Sequence, residues 1–202
     1  MKDTKPPKQV WENRYQRMQP EIPLTSPRWV TPYFHIFELK HVRHVLEIGC
    51  GSGELLQVLS DAGYSVTGTD FASSAIKIAQ NTVPGARLVV WDTRHPLPFQ
   101  EREFDLIVAS LSLHYFDDNT LSRIVANISS LLVRGGLFLF RMNSKNDSRA
   151  KQPQTIERHY FSLEDCRGLL SGWNELSLVE CTITYDGREK TVCEGLYESL
   201  EV

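Results

Sequence analysis

The sequence lacks any apolar run approaching the roughly 20 residues that a membrane-spanning helix needs. Its first ten residues, MKDTKPPKQV, are polar and carry two prolines where a secretion signal would place an apolar core. A cytoplasmic protein with no membrane partner is expected. Cysteine is scarce: Cys50, Cys166, Cys181 and Cys193 form no CxxC pair and have no histidine at zinc-ligand spacing, so reduced structural thiols are expected and no metal is. His35, His41 and His44 alternate with apolar residues and lack nearby carboxylates, which again argues against a metal. Charge of one sign is also lacking. The 22 basic residues are scattered and the formal net charge is -3, so no general field draws the chain onto a polyanion, and nucleic acid is disfavoured as a partner. Internal repeats and low-complexity blocks are absent.

What is present is enough for one core. With 41% hydrophobic and 23% charged residues in 202, a single domain spanning 1–202 is expected, with 1–40 as an N-terminal helical cap. Trp11, Tyr15 and Met18 recur at helical spacing over residues 10–19, and Pro20, Pro23 and Pro27 then interrupt. Ser26-Pro27 has the form of an N-cap and N1 pair for a second helix reaching about Lys40. From Arg43 strand and helix patterns alternate. Strands are expected at 44–48, 65–69, 87–90, 104–109 and 137–141, with helices at 52–62, 73–81 and 119–133, the last ending at Gly135-Gly136. A helix at 162–170 and strands at 176–185 and 191–198, joined by Asp186-Gly187, complete the pattern. The expected fold is α/β: a doubly wound, Rossmann-like, mostly parallel sheet of about seven strands, with an antiparallel C-terminal hairpin and helices on both faces.

The densest signal is VLEIGCGSG at 45–53, a buried strand running into a glycine-rich turn that opens a helix. Gly49, Gly51 and Gly53 let the backbone turn and approach a ligand closely, and the helix behind them presents free N–H groups. Asp70 ends the next strand, 21 residues beyond Gly49, where a doubly wound fold places a carboxylate against ribose hydroxyls. Together these imply a ligand containing adenosine. The spacing is GxGxG and not the dinucleotide GxGxxG, and Glu47 just before the turn would repel a pyrophosphate but suit a cationic sulfonium. A nicotinamide-dependent oxidoreductase explains Asp70 but fits Glu47 poorly. Asp92 after the third strand can accept from an adenine amino group, the Thr93 N–H can meet a ring nitrogen, and Phe71 can pack on the adenine face. Cys50, inside the turn, reads as a small buried side chain beside the ligand.

The segments VLEIGCGSG, GTDFASSAI, WDTRHPLPF, FDLIVASLSLHYF and LLVRGGLFLFRMNS together resemble class I S-adenosylmethionine-dependent methyltransferases, in particular small single-domain members of the tellurite-resistance and thiol type. The resemblance implies S-adenosylmethionine as methyl donor and S-adenosylhomocysteine as product. Gly49 and Gly51 would line the methionine and ribose portion, Asp70 the ribose, and Asp92 with Thr93 the adenine, while Ser110 would lie near the methionine amino group. Trp11-Glu12-Asn13-Arg14-Tyr15 looks like the WxxxY element that relatives fold over the cofactor, so Trp11 and Tyr15 would help exclude water.

Acceptor groups are expected beyond the carboxyl ends of the strands. His114 and Tyr115, after the fourth strand, are the candidates for acceptor contact or a base. Arg141 and Asn143, followed by a polar loop at 144–157, and His159-Tyr160 are candidates for holding the acceptor, with an arginine suited to an anionic one. No long insertion for a macromolecule is evident, so a small-molecule acceptor is expected. A protein lysine, or binding of the cofactor without catalysis, are the alternatives.

Overall fold

A computed structural model describes residues 8–17, 27–96, 98–152 and 156–200. The expectations for Met18 and for the Ser26 cap fall outside them. Helix α1 spans Lys8–Arg17. A 3-10 helix, Pro27–Tyr33, leads directly into α2, Phe34–Leu39. The alternating part follows as β1 (His44–Ile48), α3 (Glu54–Asp61), β2 (Ser65–Asp70), α4 (Ser73–Thr82), β3 (Arg87–Val90) and β4 (Phe104–Ser110). Then come α5 (Asp118–Leu131), β5 (Leu132–Asn143), α6 (Leu163–Leu169), β6 (Trp173–Tyr185) and β7 (Arg188–Ser199).

The seven strands form one sheet in the order β3-β2-β1-β4-β5-β7-β6. The first five are parallel, and β7 runs antiparallel between β5 and the edge strand β6. Period-two side-chain alternation divides the apolar residues into two layers. Leu46, Ile48, Ile107, Ala109, Phe138 and Phe140 point to the side covered by α5 and α6. Val45, Leu106, Val108, Leu137 and Leu139 point to the side covered by α2, α3 and the 3-10 helix. Both faces are therefore buried, as a parallel sheet requires.

The β6–β7 turn has positive φ at both Asp186 (54°) and Gly187 (70°), the two-residue geometry that follows the twist of a hairpin. One boundary differs from the sequence reading. The expected helix through residue 133 stops at Leu131, because Leu132 pairs with Phe104 in the sheet and is buried. Gly135-Gly136 is no helix end but part of a bulge: the register jumps from Phe104↔Leu132 to Leu106↔Leu137, and Gly135 takes φ +69°. The expected N-terminal cap also divides in two. Helix α1 packs on α4 and the cleft rim through Tyr15 and Trp11, whereas Trp29 to Phe37 belong to the core layer on the α3 side.

Candidate active site

At the carboxyl ends of β1, β2 and β4 a cleft encloses about 1200 Å³, its open mouth included. Its floor is the glycine turn, built by β1 running into α3. The N–H groups of Gly49 and Cys50 both donate to the Thr69 carbonyl, at 2.7 and 2.9 Å, which ties the turn to the end of β2. Gly49, Gly51 and Gly53 all take positive φ (74°, 54° and 87°). A Cβ on Gly49 would stand 2.5 Å from the Ser112 Cβ, and one on Gly51 2.7 Å from the Tyr15 hydroxyl. Glycine is thus demanded here by conformation and by close packing alike.

Glu47 lies at the floor, 4% exposed, and its Oε2 has no hydrogen-bond partner among the described residues. Burial first, then the charges of Glu54 and Asp70, pushes its pKa well above the usual carboxylate range. Ser110 Oγ, also lining the cleft, is likewise buried without a partner. Buried polar groups left unpaired are costly, so these two atoms mark where a ligand's polar group belongs. Asp70 accepts from the Gly51 N–H at 3.0 Å through one oxygen and from the Ala72 N–H at 2.9 Å through the other. Burial raises its pKa to about 6 in spite of those two bonds. A carboxylate oxygen can accept more than once, so both retain capacity toward the cleft. Cys50 is buried and its thiol is pushed upward by burial and by Glu47 and Asp70, so the nearby helix does not activate it.

The walls bring together most of the remaining candidates. Phe71, Asp92, Thr93, Trp11, Tyr15 and Tyr115 all line the cleft. The Asp92 carboxylate accepts from the Arg94 guanidinium, with Nε at 2.9 Å. Burial opposes its ionisation, yet the Arg94 hydrogen bonds and charge lower its pKa overall. Trp11 stacks on Tyr15 at 6.1 Å and meets Tyr115 edge-on at 5.7 Å.

Several residues in this arrangement escaped the sequence reading. Glu12, between Trp11 and Tyr15, accepts from the N–H groups of Ser73 and Ser74 at 2.8 and 3.0 Å. It caps α4 from a distant helix, where the local cap residue Ala72 offers no side chain. Burial opposes its ionisation, but the Ser74 and Ser73 hydrogen bonds prevail and hold its pKa at about 2. An acidic residue facing an uncapped helix start was the available signal. Leu111 lines the cleft in the left-handed region (φ 56°), a conformation a branched residue adopts only under constraint. Tyr185, from the tip of β6, closes the far wall.

Of the expected acceptor residues Tyr115 lines the cleft, and the other five lie elsewhere. His114 is fully buried behind the cleft, with neither ring nitrogen partnered among the described residues, and burial followed by the charge of Lys190 depresses its pKa well below the histidine range. It does not line the cleft. Arg141 points into the opposite side of the sheet, pairing with Glu194 and lying 3.9 Å from the Trp29 ring centroid, while Glu194 also accepts from the Tyr33 hydroxyl. Arg141 and Glu194 are cross-strand partners in the β5–β7 register, so the arginine is committed to the sheet. Asn143 is buried, its two amide atoms without a partner among the described residues, and it lines neither the cleft nor the chamber beside it. His159 anchors its loop by donating its N–H to the His114 carbonyl at 2.7 Å. Tyr160 lines that chamber, a second cavity that shares Trp11, Tyr115 and Tyr185 with the cleft.

Residues 45–136 match the methyltransferase-domain family. An uncharacterized methyltransferase of Synechocystis is 33% identical over 110 residues, covering 52% of this chain and 51% of the relative. A tRNA N(3)-methylcytidine methyltransferase of Drosophila melanogaster is 28% identical over 184 residues, covering 76% and 54%. The chain spans about half the length of both curated relatives. Among solved structures, the N-methyltransferase NodS of Bradyrhizobium japonicum, in complex with S-adenosylhomocysteine, superposes with a TM-score of 0.74 at 18% identity, covering 96% of this chain and 99% of that one. Over residues 45–136 the chain is thus similar to the methyltransferase-domain family, and it shares its fold with solved S-adenosylmethionine-dependent methyltransferases. Among the described residues no helix is long and apolar enough to cross a membrane.

Proposed function

We propose that the chain binds S-adenosylmethionine in the glycine-floored cleft and transfers its methyl group to a small-molecule acceptor. The observation that carries this reading is the pair of unpartnered buried atoms, Glu47 Oε2 and Ser110 Oγ, on the floor of a cleft whose glycines leave no room for side chains. A carboxylate and a hydroxyl suit the ammonium of a methionine moiety. Asp70 suits the ribose hydroxyls, and Asp92 with Thr93 the adenine rim, with Phe71 against its face. Gly53 starts the helix behind the turn, and Cys50 supplies a small apolar wall.

The bound donor supplies an electrophilic methyl group on a sulfonium, which an acceptor attacks in line. The chain's part is to hold the acceptor near that methyl and to keep water out. Trp11, Tyr15 and Tyr115 form an aromatic wall suited to the second task. Tyr115 is raised to about 12 by burial, so near neutral pH it keeps its proton and orients an acceptor by donating a hydrogen bond. His114, behind the cleft, supports the loop and is not placed to abstract a proton. Closure of the acceptor side by the β6–β7 tip, through the Arg14–Asp186 ion pair at 3.2 Å, favours a small acceptor over a lysine on a folded protein.

The test is formation of S-adenosylhomocysteine when the protein is incubated with S-adenosylmethionine and a panel of thiols, amines, phenols and carboxylic acids. Turnover that depends on one class supports the enzyme reading. Tight binding of the donor with no product across the panel, and with product on a protein extract instead, would contradict a small acceptor.

A further inference from the structure

The cavity beside the cofactor cleft differs from it in charge. Among the described residues it is lined by five cationic side chains, Arg14, Arg149, Arg158, Arg188 and Lys190, and by two carboxylates, Asp147 and Asp186, on a chain whose formal net charge is -3. Both carboxylates are already committed. Asp186 pairs with Arg14. Asp147 accepts from Arg149 through both oxygens, at 3.0 and 3.1 Å, and from the Thr191 N–H at 2.7 Å. That leaves Lys190. Its side chain comes from β7, the residue is only 7% exposed, and among the described residues no carboxylate oxygen lies within ion-pair distance of its ammonium. Its ammonium lies over the face of Tyr185, 4.8 Å from the ring centroid.

A buried ammonium beside two arginines is unfavourable without a counter-charge. Burial first, then the charges of Arg149 and Arg158, brings the Lys190 pKa down to about 7, and the more distant charge of Asp147, already paired with Arg149, offsets this only in part. If the cluster served stability alone, a carboxylate in place of the second or third cation would do better. Tyr115, Trp11 and Tyr185 form the wall common to the cofactor cleft and this chamber, so whatever sits against Lys190 lies next to the donor site. Tyr115 and Arg158 both line the chamber, so the aromatic wall adjoins the basic cluster.

We propose that this chamber is the acceptor subsite and that it binds a small organic anion, whose carboxylate or phosphate is received by Lys190 with Arg149 and Arg158, and whose apolar body lies against Tyr115, Tyr160 and Tyr185. The inference rests on the methyltransferase reading of the neighbouring cleft for the word acceptor, but the anion site stands on its own geometry. It names the substrate class through its acidic group, and two forms of that group are separated by the test.

The experiment is calorimetric titration of the full chain, first with S-adenosylhomocysteine and then, on the loaded protein, with benzoate, phenyl phosphate and benzyl alcohol. Binding of one or both anions with at least a tenfold preference over the neutral alcohol is expected, and the preferred anion tells carboxylate from phosphate. Lys190→Met is expected to weaken anion binding at least tenfold with S-adenosylhomocysteine affinity unchanged, which also shows that the variant is folded. Lys190→Arg is expected to restore most of the loss. Equal binding of the alcohol and the anions, no binding of any probe, or anion binding indifferent to Lys190→Met would overturn the proposal. Failure of S-adenosylhomocysteine to bind, with anion binding intact and dependent on Lys190, would count against the cofactor reading and leave the anion site standing.

Discussion

Glu47 and Asp70 place carboxylates where burial disfavours their charge, a cost that a ligand carrying an ammonium against Glu47 and hydroxyl donors against Asp70 would offset. Replacing Glu47 by Gln keeps the shape and removes the charge. Affinity for S-adenosylmethionine should fall about tenfold or more, corresponding to about 1.5–3 kcal/mol for a hydrogen bond to a charged group, while the melting temperature holds or rises, because a buried carboxylate with one oxygen unpartnered among the described residues is gone. Paired calorimetry and thermal melts check this. Asp70 carries a pH signature. Its folded pKa of about 6 is raised, so in the ligand-free protein its ionisation subtracts stability as pH rises from the unfolded value toward 6. A ligand that uses the ionised form reverses the preference, so binding should tighten between pH 5 and pH 7.5, and Asp70→Asn should flatten that rise. A profile that falls with pH would contradict the role. At this scale the sequence brought the residues of the cleft together correctly, since the glycines, Glu47, Asp70 and Asp92 sit at fixed offsets along single strands and turns. It misled at Arg141 and His114. Which side of the sheet Arg141 faces, and that Glu194 meets it, depends on β7 inserting between β5 and β6, a long-range pairing that no local pattern encodes. Lys190 was missed for the same reason.

Helix α1 shows how one short element joins local structure to the site. Its intrinsic amphipathicity is modest, and it is held by Glu12 on the start of α4, by Tyr15 over Gly51 and by Arg14 on the hairpin tip. Glu12→Ala should cost about 1 kcal/mol, the usual worth of an N-cap, and should also weaken S-adenosylmethionine binding, since Trp11 and Tyr15 lose their anchor. The Glu12 pKa is held at about 2, so its contribution is complete above the unfolded carboxylate range and is lost as pH falls from about 4.5 toward 2. Urea unfolding of both proteins at pH 7 and at pH 3 should show the difference shrinking at the lower pH. A constant difference would mean that packing, and not the carboxylate, holds α1. Element boundaries followed from pattern wherever the pattern had one reading: His44–Ile48 and Arg87–Val90 were both legible, as was the Asp186-Gly187 turn. Gly135-Gly136 had two readings, helix end or bulge, and the pairing of Leu132 with Phe104 decides for the bulge.

Across the whole molecule, a weakly acidic protein keeps acidic groups on the floor of one cavity and a surplus of basic groups in the next, with a wall of Trp11, Tyr115 and Tyr185 between them. That division suits a cationic donor beside an anionic acceptor, each drawn to its own side. The parallel core with two apolar layers fixes the strand ends, and the C-terminal hairpin and α1 close over them, joined by Arg14 and Asp186. The central claim is that the glycine-floored cleft is a site for S-adenosylmethionine. Calorimetric titration of the purified chain with S-adenosylmethionine, S-adenosylhomocysteine and NAD addresses it most directly. The account predicts saturable binding of the first two with one site per chain and none of NAD, and binding of NAD alone would contradict it.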